Sequence, residues 1–485
     1  MPPHSGPSTH LLMPSKSYDR VVPLIIATAL FMENLDSTVI ATSLPAIARA
    51  LLTSPLTLKL AVTSYLLSLA ICIPASGWTA DRFGARNVFR IAIGIFVLGS
   101  IGCAASRSLD QFVLARIVQG MGGAMMTPVG RLIMVRAVDK SNLLNAMSLV
   151  TMPALIGPIA GPPLGGFITT YASWHWIFLI NVPIGLVGIV LASRYIPNVH
   201  AEHRDPFDFR GFILSGLAVA GLAFGLSAMG LESLPVSVVA GLLIVGAVAA
   251  AAYVVHAKRT PAPILDLSLL RLVTFRASVV GGFLFRLGIG ALPFLLPLLL
   301  QIGFHLSPFQ SGLITFTGAL GSFFMKAAVA SVLSRFGYRK VLLYNALISS
   351  GFLLACATFV PGMPFWAMIL ILLSGGFFRS LQFTSINTIA YAEIEPAKMS
   401  RATALVAAAQ QLSLSTGVAV GALVVETTLW IKQSTVMTAA DFPAAFIVVG
   451  LLSASAMLIF LQLPQDAGAE LSGRKATAAA ANEKA

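Results

Sequence analysis

Apolar residues in this chain come in blocks of roughly 20, the length that crosses a ~30 Å hydrocarbon layer as a helix. No other feature narrows the possible folds as much. Backbone N–H and C=O groups in lipid find no water, so each must be paired inside the protein, and helices do this within every segment. Only 10% of the 485 residues are charged, against 57% hydrophobic. A soluble domain carries about 25% charged residues, and so few charges could not cover a water-facing surface. The expectation is an all-α membrane protein.

Apolar runs between charged or Pro/Gly breaks predict fourteen spans. Residues 1–20 read as a cytoplasmic N-terminal tail, 21–195 as a first six-helix half, and 196–273 as an inserted helix pair with linkers. Residues 274–463 read as a second six-helix half and 464–485 as a disordered cytoplasmic tail. An even number of spans puts both termini on one side. With that side cytoplasmic, 23 of the 31 Lys and Arg fall inside, four (Arg49, Lys59, Arg107 and Lys432) fall in outside loops, and four lie within spans. This is a strong positive-inside asymmetry. It accounts for the net charge of +13 with no nucleic-acid partner. Cys72, Cys103 and Cys356 stand singly in apolar runs without metal-ligand spacing. No phosphate loop, metal site or nucleophile constellation is present, so neither an enzyme nor an ATP-driven machine is expected.

The chain repeats itself. Arg82-Phe83-Gly84-Ala85-Arg86 follows the second predicted span, and Arg335-Phe336-Gly337-Tyr338-Arg339 follows the tenth, 253 residues later. Both lie in short loops on the cytoplasmic side. Repeated six-helix halves around a central site are a transporter plan.

Four motifs carry chemistry. The first loop reads Gly77-Trp-Thr-Ala-Asp81-Arg82-Phe-Gly84-Ala-Arg86. Gly77 is expected to let two helices approach closely, and Asp81 to pair with a basic group or a helix N-terminus. The fourth span carries Arg116-Ile-Val-Gln119-Gly120, with Arg116 ~9 Å inside the outer boundary. An arginine at that depth faces a cavity or a partner, or snorkels to the surface. The fifth span carries Gly157-Pro158-Ile-Ala-Gly161-Pro162-Pro163-Leu-Gly165-Gly166. Its prolines remove donors and its glycines remove bulk, which suits a hinge packed tightly on another helix; Gly312, Gly318 and Gly321 of the tenth span offer a small-residue partner. The first span reads Asn34-Leu35-Asp36-Ser37-Thr38, with Glu33 just before it. Glu33 and Asp36 lie ~14 and ~18 Å deep, three residues apart and hence on neighbouring faces. They are expected to titrate as a coupled pair, or one of them to form a permanent ion pair with Arg116, Arg286 or Arg379. Glu426 lies near the outer boundary. Aligning Phe31 with Phe283 sets Arg286 opposite Asn34, where it would line a cavity or neutralise Asp36.

Together these motifs resemble the major facilitator superfamily, and within it the fourteen-helix drug:proton antiporters, over about residues 21–463. The run Trp174-His175-Trp176-Ile-Phe178-Leu-Ile-Asn181 is similar to the same subfamily. The resemblance implies a major facilitator fold of two six-helix halves plus an inserted pair. It implies export by alternating access at a bacterial inner membrane, driven by the proton gradient without a cofactor or metal. Amphipathic drugs are the implied substrates, with organic anions or metal chelates the alternative. Protons and membrane lipids are further partners, and a periplasmic adaptor and outer-membrane channel are compatible with the plan. The implied roles are proton coupling at Asp36 and Glu33, and a substrate cavity at Asn34, Arg116, Gln119, Arg286 and Arg379. Gating falls to Gly77, Asp81, Arg82, Gly84, Arg86, Arg335, Gly337 and Arg339, and the antiporter motif to the fifth span. The chain departs from the pattern at Ala41-Thr42-Ser43, and at Ser334, which stands where the first loop has Asp81.

Overall fold

The computed structural model describes residues 15–138, 143–197, 206–231, 234–395 and 398–472. Its first half comprises α1 (Ser15–Ala50), α2 (Lys59–Phe83, with a 3-10 turn at Ile73–Ala75), α3 (Ala85–Ala105), α4 (Leu109–Ala137), α5 (Leu143–Tyr171) and α6 (Trp176–Tyr195). Then come α7 (Phe209–Ala228) and α8 (Val236–Arg259). The second half comprises α9 (Val273–Gly303), α10 (Pro308–Phe336), α11 (Tyr338–Thr358), α12 (Phe365–Ile389), α13 (Met399–Ile431) and α14 (Ala439–Phe460). Among the described residues, twelve of these helices are long and apolar enough to cross a membrane. The other two, α4 and α5, are 29 residues each; α4 is diluted by the Arg, Gln and Gly residues it turns inward. The first helix starts at Ser15, six residues ahead of its expected start, and residues 464–472 form turns with Ala467 buried near Tyr338.

The same pairings recur in each half. In the first, α1 packs on α5 and α6, and α4 on α2 and α3; in the second, α9 packs on α13 and α14, and α12 on α10 and α11. The halves meet chiefly where α2 packs on α13 and α5 on α10, with smaller contacts of α1 on α9 and α10. The pair α7/α8 packs on the α2–α13 junction. Its outer face presents Val238, Ile244, Val245 and Val248, the apolar surface that lipid requires.

The apolar core differs between the two ends. Toward Leu51, Phe112, Leu299 and Phe442, a single cluster of buried residues runs across both halves. Toward the repeated loops the clusters are separate, one in the first half and two in the second half with the linker that leads into it. The loops themselves turn on glycine: Gly84 has φ +87° and Gly337 φ +76°, a region that side chains rarely tolerate.

Both ends of the α7/α8 pair are tied by Asp208. Its carboxylate accepts from the Gly211 and Ile264 amides at 2.9 and 3.1 Å and lies 2.7 Å from His256 Nε2. Burial by itself pushes this carboxyl up, but those hydrogen bonds outweigh it and hold it below its ordinary value.

Candidate functional site

Gly120 sets the geometry of the site. A Cβ there would meet Tyr65 O and Ser68 Cβ, each at 2.7 Å, so glycine lets α4 lie directly on α2. This places the Arg116 guanidinium 4.1 Å over the Tyr65 ring, a favourable cation–π distance. From there Arg116 Nη1 donates to Asp36 Oδ2 at 2.7 Å and to Gln119 Oε1 at 2.6 Å. Asp36 Oδ1 accepts from Gln119 Nε2 at 2.8 Å and from Asn181 Nδ2 at 2.9 Å. Ser100 Oγ accepts from the same two amides at 2.8 and 3.2 Å. Asp36 and Arg116 are 3% and 1% exposed. Arg116 therefore does not snorkel; it neutralises Asp36 inside the first half. The carboxylate is held by one charge and two amides in a site closed to solvent, where such bonds are strong.

Glu33 is held separately. Its Oε2 accepts from Thr127 Oγ1 at 2.7 Å, and it has no cationic ion-pair partner among the described residues. The two acids share no hydrogen bond, and so no single proton bridges them.

The five residues expected to line a substrate cavity do not form one group. Arg116 and Gln119 belong to the Asp36 network. Asn34 turns its amide back to Leu30 O at 2.7 Å. Arg286, 1% exposed, does not reach Asp36; its Nη2 donates to Asn387 Oδ1 at 2.7 Å, and its guanidinium lies 5.4 Å from the Phe383 ring centre. Arg379 lies inside the second half with no hydrogen-bond or ion-pair partner among the described residues. Lys326 donates to Thr384 Oγ1 at 3.2 Å beside an open cavity of about 720 Å³.

The fifth-span motif packs mainly on α1. A Cβ at Gly157 would lie 3.1 Å from Asn34 Cβ, and one at Gly161 would overlap Thr38 Oγ1. Thr38 and Thr42 hydroxyls reach the carbonyls of Gly157 and Pro162 at 3.5 and 3.4 Å. Half-buried Pro158 lies between them. Gly165 meets Val39 and Thr42, while Gly166 faces Pro308 of α10, and Gly312 faces Pro162. Gly318 and Gly321, expected to join this surface, face α12 instead.

The loops keep their repeat in three dimensions. Arg86 donates to Ile196 O at 3.5 Å, and Arg339 to Leu461 O at 3.4 Å, each anchoring the last helix of its own half. Asp81 pairs with Arg136 at 2.7 Å, while Ser334 bonds only to its own helix at Ser331 O. Arg82 has no hydrogen bond or ion pair among the described residues; Arg335 lies 5.6 Å from the Phe336 ring centre. Gly77 does not mediate a close approach: nothing lies within 4 Å of a Cβ built there, because the halves have separate cores at this end.

Two functional groups escape sequence reasoning. Asn181 and Ser100 complete the Asp36 shell; Asn181 lies in the Trp174 run, but nothing in the spacing points it at Asp36. Lys59, expected in an outside loop, is the first residue of α2 and fully buried. Its Nζ pairs with Glu426 of α13 at 2.6 Å and donates to Met229 O at 2.9 Å, so it joins both halves and the α7/α8 pair.

Long apolar helices, repeated half-bundles and a buried charge network define a multi-pass membrane protein built on a transporter plan. The Major Facilitator Superfamily profile matches residues 26–256 and 278–483, and the chain belongs to that superfamily. It is 40% identical over 447 residues to a Salmonella typhimurium protein named "Putative multidrug resistance protein MdtD", covering 91% of this chain and 94% of that one. The protein of the same name from Escherichia fergusonii is 38% identical over the same span. Among solved structures, the nucleoside transporter NupG superposes with a TM-score of 0.64 at 12% identity, covering 92% of this chain and 99% of that one. The human organic anion transporter MFSD10 superposes with a TM-score of 0.58 at 16% identity, covering 93% and 100%.

Proposed function

We propose that this transporter exports amphipathic small molecules across a bacterial inner membrane in exchange for protons. The supporting observation is the Asp36–Arg116 pair, sealed by Gln119 and Asn181. Protonating Asp36 removes the charge that Arg116 neutralises and frees the guanidinium and both amides to rearrange. Glu33, half-buried and bonded to Thr127 alone, is the entry acid. In this reading α4 and α5 complete fourteen spans, α7/α8 is an inserted pair, and the repeated loops and both termini are cytoplasmic. The shared core then lies at the outer side and the conformation is closed outward. Passage to the opposite conformation would break Lys59–Glu426 and bring α13 toward Gly77.

A second reading, export of organic anions or metal chelates, draws support from Arg286 and Arg379, which have no acidic partner among the described residues.

The test is ΔpH-driven uptake into inverted membrane vesicles by wild type, Asp36→Asn, Glu33→Gln and the double variant, with expression and ligand-induced fluorescence measured in parallel. Asp36→Asn is expected to bind substrate but lose uptake, since Asn keeps hydrogen bonding and carries no proton to release. Wild-type uptake in the double variant would refute proton coupling at these acids.

A further inference from the structure

Gln119, Gly123 and Thr127 follow one another at intervals of four on α4, so they share a face and span about 12 Å of its axis. The ends of that row hold the two acids: Gln119 donates to Asp36, and Thr127 to Glu33. The middle position has no side chain of its own. Its space is taken from α2, since a Cβ at Gly123 would lie 3.3 Å from the Tyr65 hydroxyl. The Tyr65 oxygen therefore sits between the levels of two carboxylates that share no hydrogen bond with each other.

That hydroxyl stands unpaired. Tyr65 is 1% exposed, and its oxygen has no hydrogen-bond partner among the described residues. A buried polar group without a partner is costly, and native proteins keep few of them. Packing does not call for it. Arg116 lies over the ring face, 4.1 Å from its centre, and a phenylalanine ring would serve a cation as well. The charged groups that face the hydroxyl are Glu33 and Asp36 from α1 and Arg116 from α4. Glu426 of α13, which also packs on α2, is engaged by Lys59. A phenol donates and accepts through one oxygen, the chemistry that a proton needs to pass between two separated acids.

We propose that Tyr65 relays the proton from Glu33 to Asp36. Its oxygen accepts the Glu33 carboxyl proton as its own proton passes to Asp36, each step direct or through one water. Glu33 ends as a carboxylate, Asp36 as a neutral acid, and Tyr65 is unchanged. The relay rests on the proton-coupling reading and adds the path to it.

Infrared difference spectra of the full-length protein in lipid nanodiscs, recorded after a downward pH jump, follow each acid by the carbonyl stretch that appears on protonation. Asp36→Asn and Glu33→Gln assign the two bands. In Tyr65→Phe the Glu33 band is expected to rise at the wild-type rate and the Asp36 band about 10²-fold more slowly. The thermal midpoint should be unchanged or higher, because the ring under Arg116 is kept and only an unpaired hydroxyl is lost. Should Tyr65→Phe not fold, Gly123→Ala crowds the same oxygen and is expected to slow the same band. An Asp36 band as fast in the variant as in wild type would overturn the relay and leave proton coupling standing. Absence of an Asp36 band in wild type would overturn both.

Discussion

The two halves share a scaffold but treat their buried arginines in opposite ways. Arg116 is surrounded by Asp36, Gln119 and the Tyr65 ring, whereas the equally buried Arg286 meets Asn387 and the Phe383 ring and, among the described residues, no acid. The loops diverge in the same sense: Asp81 pairs with Arg136, and Ser334 has no charge to offer. Duplication preserves helix packing, which depends on many small contacts, while single substitutions decide which half holds a titratable charge. In the proposed mechanism the half with the acid exchanges a proton, and the half without it keeps a permanent positive charge.

The largest expected difference comes from removing each arginine. Arg116→Gln strands the buried Asp36 carboxylate and should cost about 3–5 kcal/mol of stability. Arg286→Gln removes a buried charge with no acidic partner among the described residues and should leave the thermal midpoint unchanged or higher. Equal losses would break the comparison.

Lys59→Met tests the link between halves. Glu426 is 14% exposed, so the loss should be smaller, about 2 kcal/mol, and a second change, Glu426→Leu, should restore it. No recovery in the double variant would show that the pair is not the unit that matters.

Asp208→Asn should loosen the α7/α8 pair, which neither half contains, by about 1.5 kcal/mol. Hydrogen exchange at Ile264 and along α8 reads this locally. Because the Asp208 carboxyl is held below its ordinary value of 3.8, its contribution is present above that value. It is lost as pH falls through the lower folded-state value, and at neutral pH it should be flat. Faster exchange already at neutral pH in wild type would contradict the tether.

The smallest effect belongs to the loops. Asp81→Asn breaks a partly exposed pair and should change stability by less than about 1 kcal/mol, and Ser334→Ala by nothing measurable. A large stability loss at Asp81 would mean that the loop supports the fold of the first half as well as its gating.

Much of this was legible in the sequence because lipid imposes strict rules. Span length and the loop repeat predict the helix order, and the depth of Asp36 leaves it either coupled to Glu33 or paired with Arg116, Arg286 or Arg379, of which the fold selects Arg116. Pairings between distant helices were not legible. Lys59 and Glu426 lie 367 residues apart, and a lysine at a span boundary looks the same from sequence whether it faces water or a partner. Arg286 was set near Asp36 by alignment, but its long side chain turns toward Asn387 on α12. Gly77 reads as a contact point from its place in the loop motif, yet nothing lies within 4 Å of a Cβ built there. Arg379 reads from the sequence as one more cavity cation, and in the fold it is half-buried beside a small cavity within the second half.

Proton release on ligand binding tests the central claim most directly. Purified protein in weakly buffered solution with a pH-sensitive dye is exposed to a panel of lipophilic cations and organic anions, while tryptophan fluorescence reports binding. Wild type should release protons whenever a ligand binds, and Asp36→Asn should bind with the fluorescence change but release none. Undiminished proton release from Asp36→Asn combined with Glu33→Gln would contradict the account.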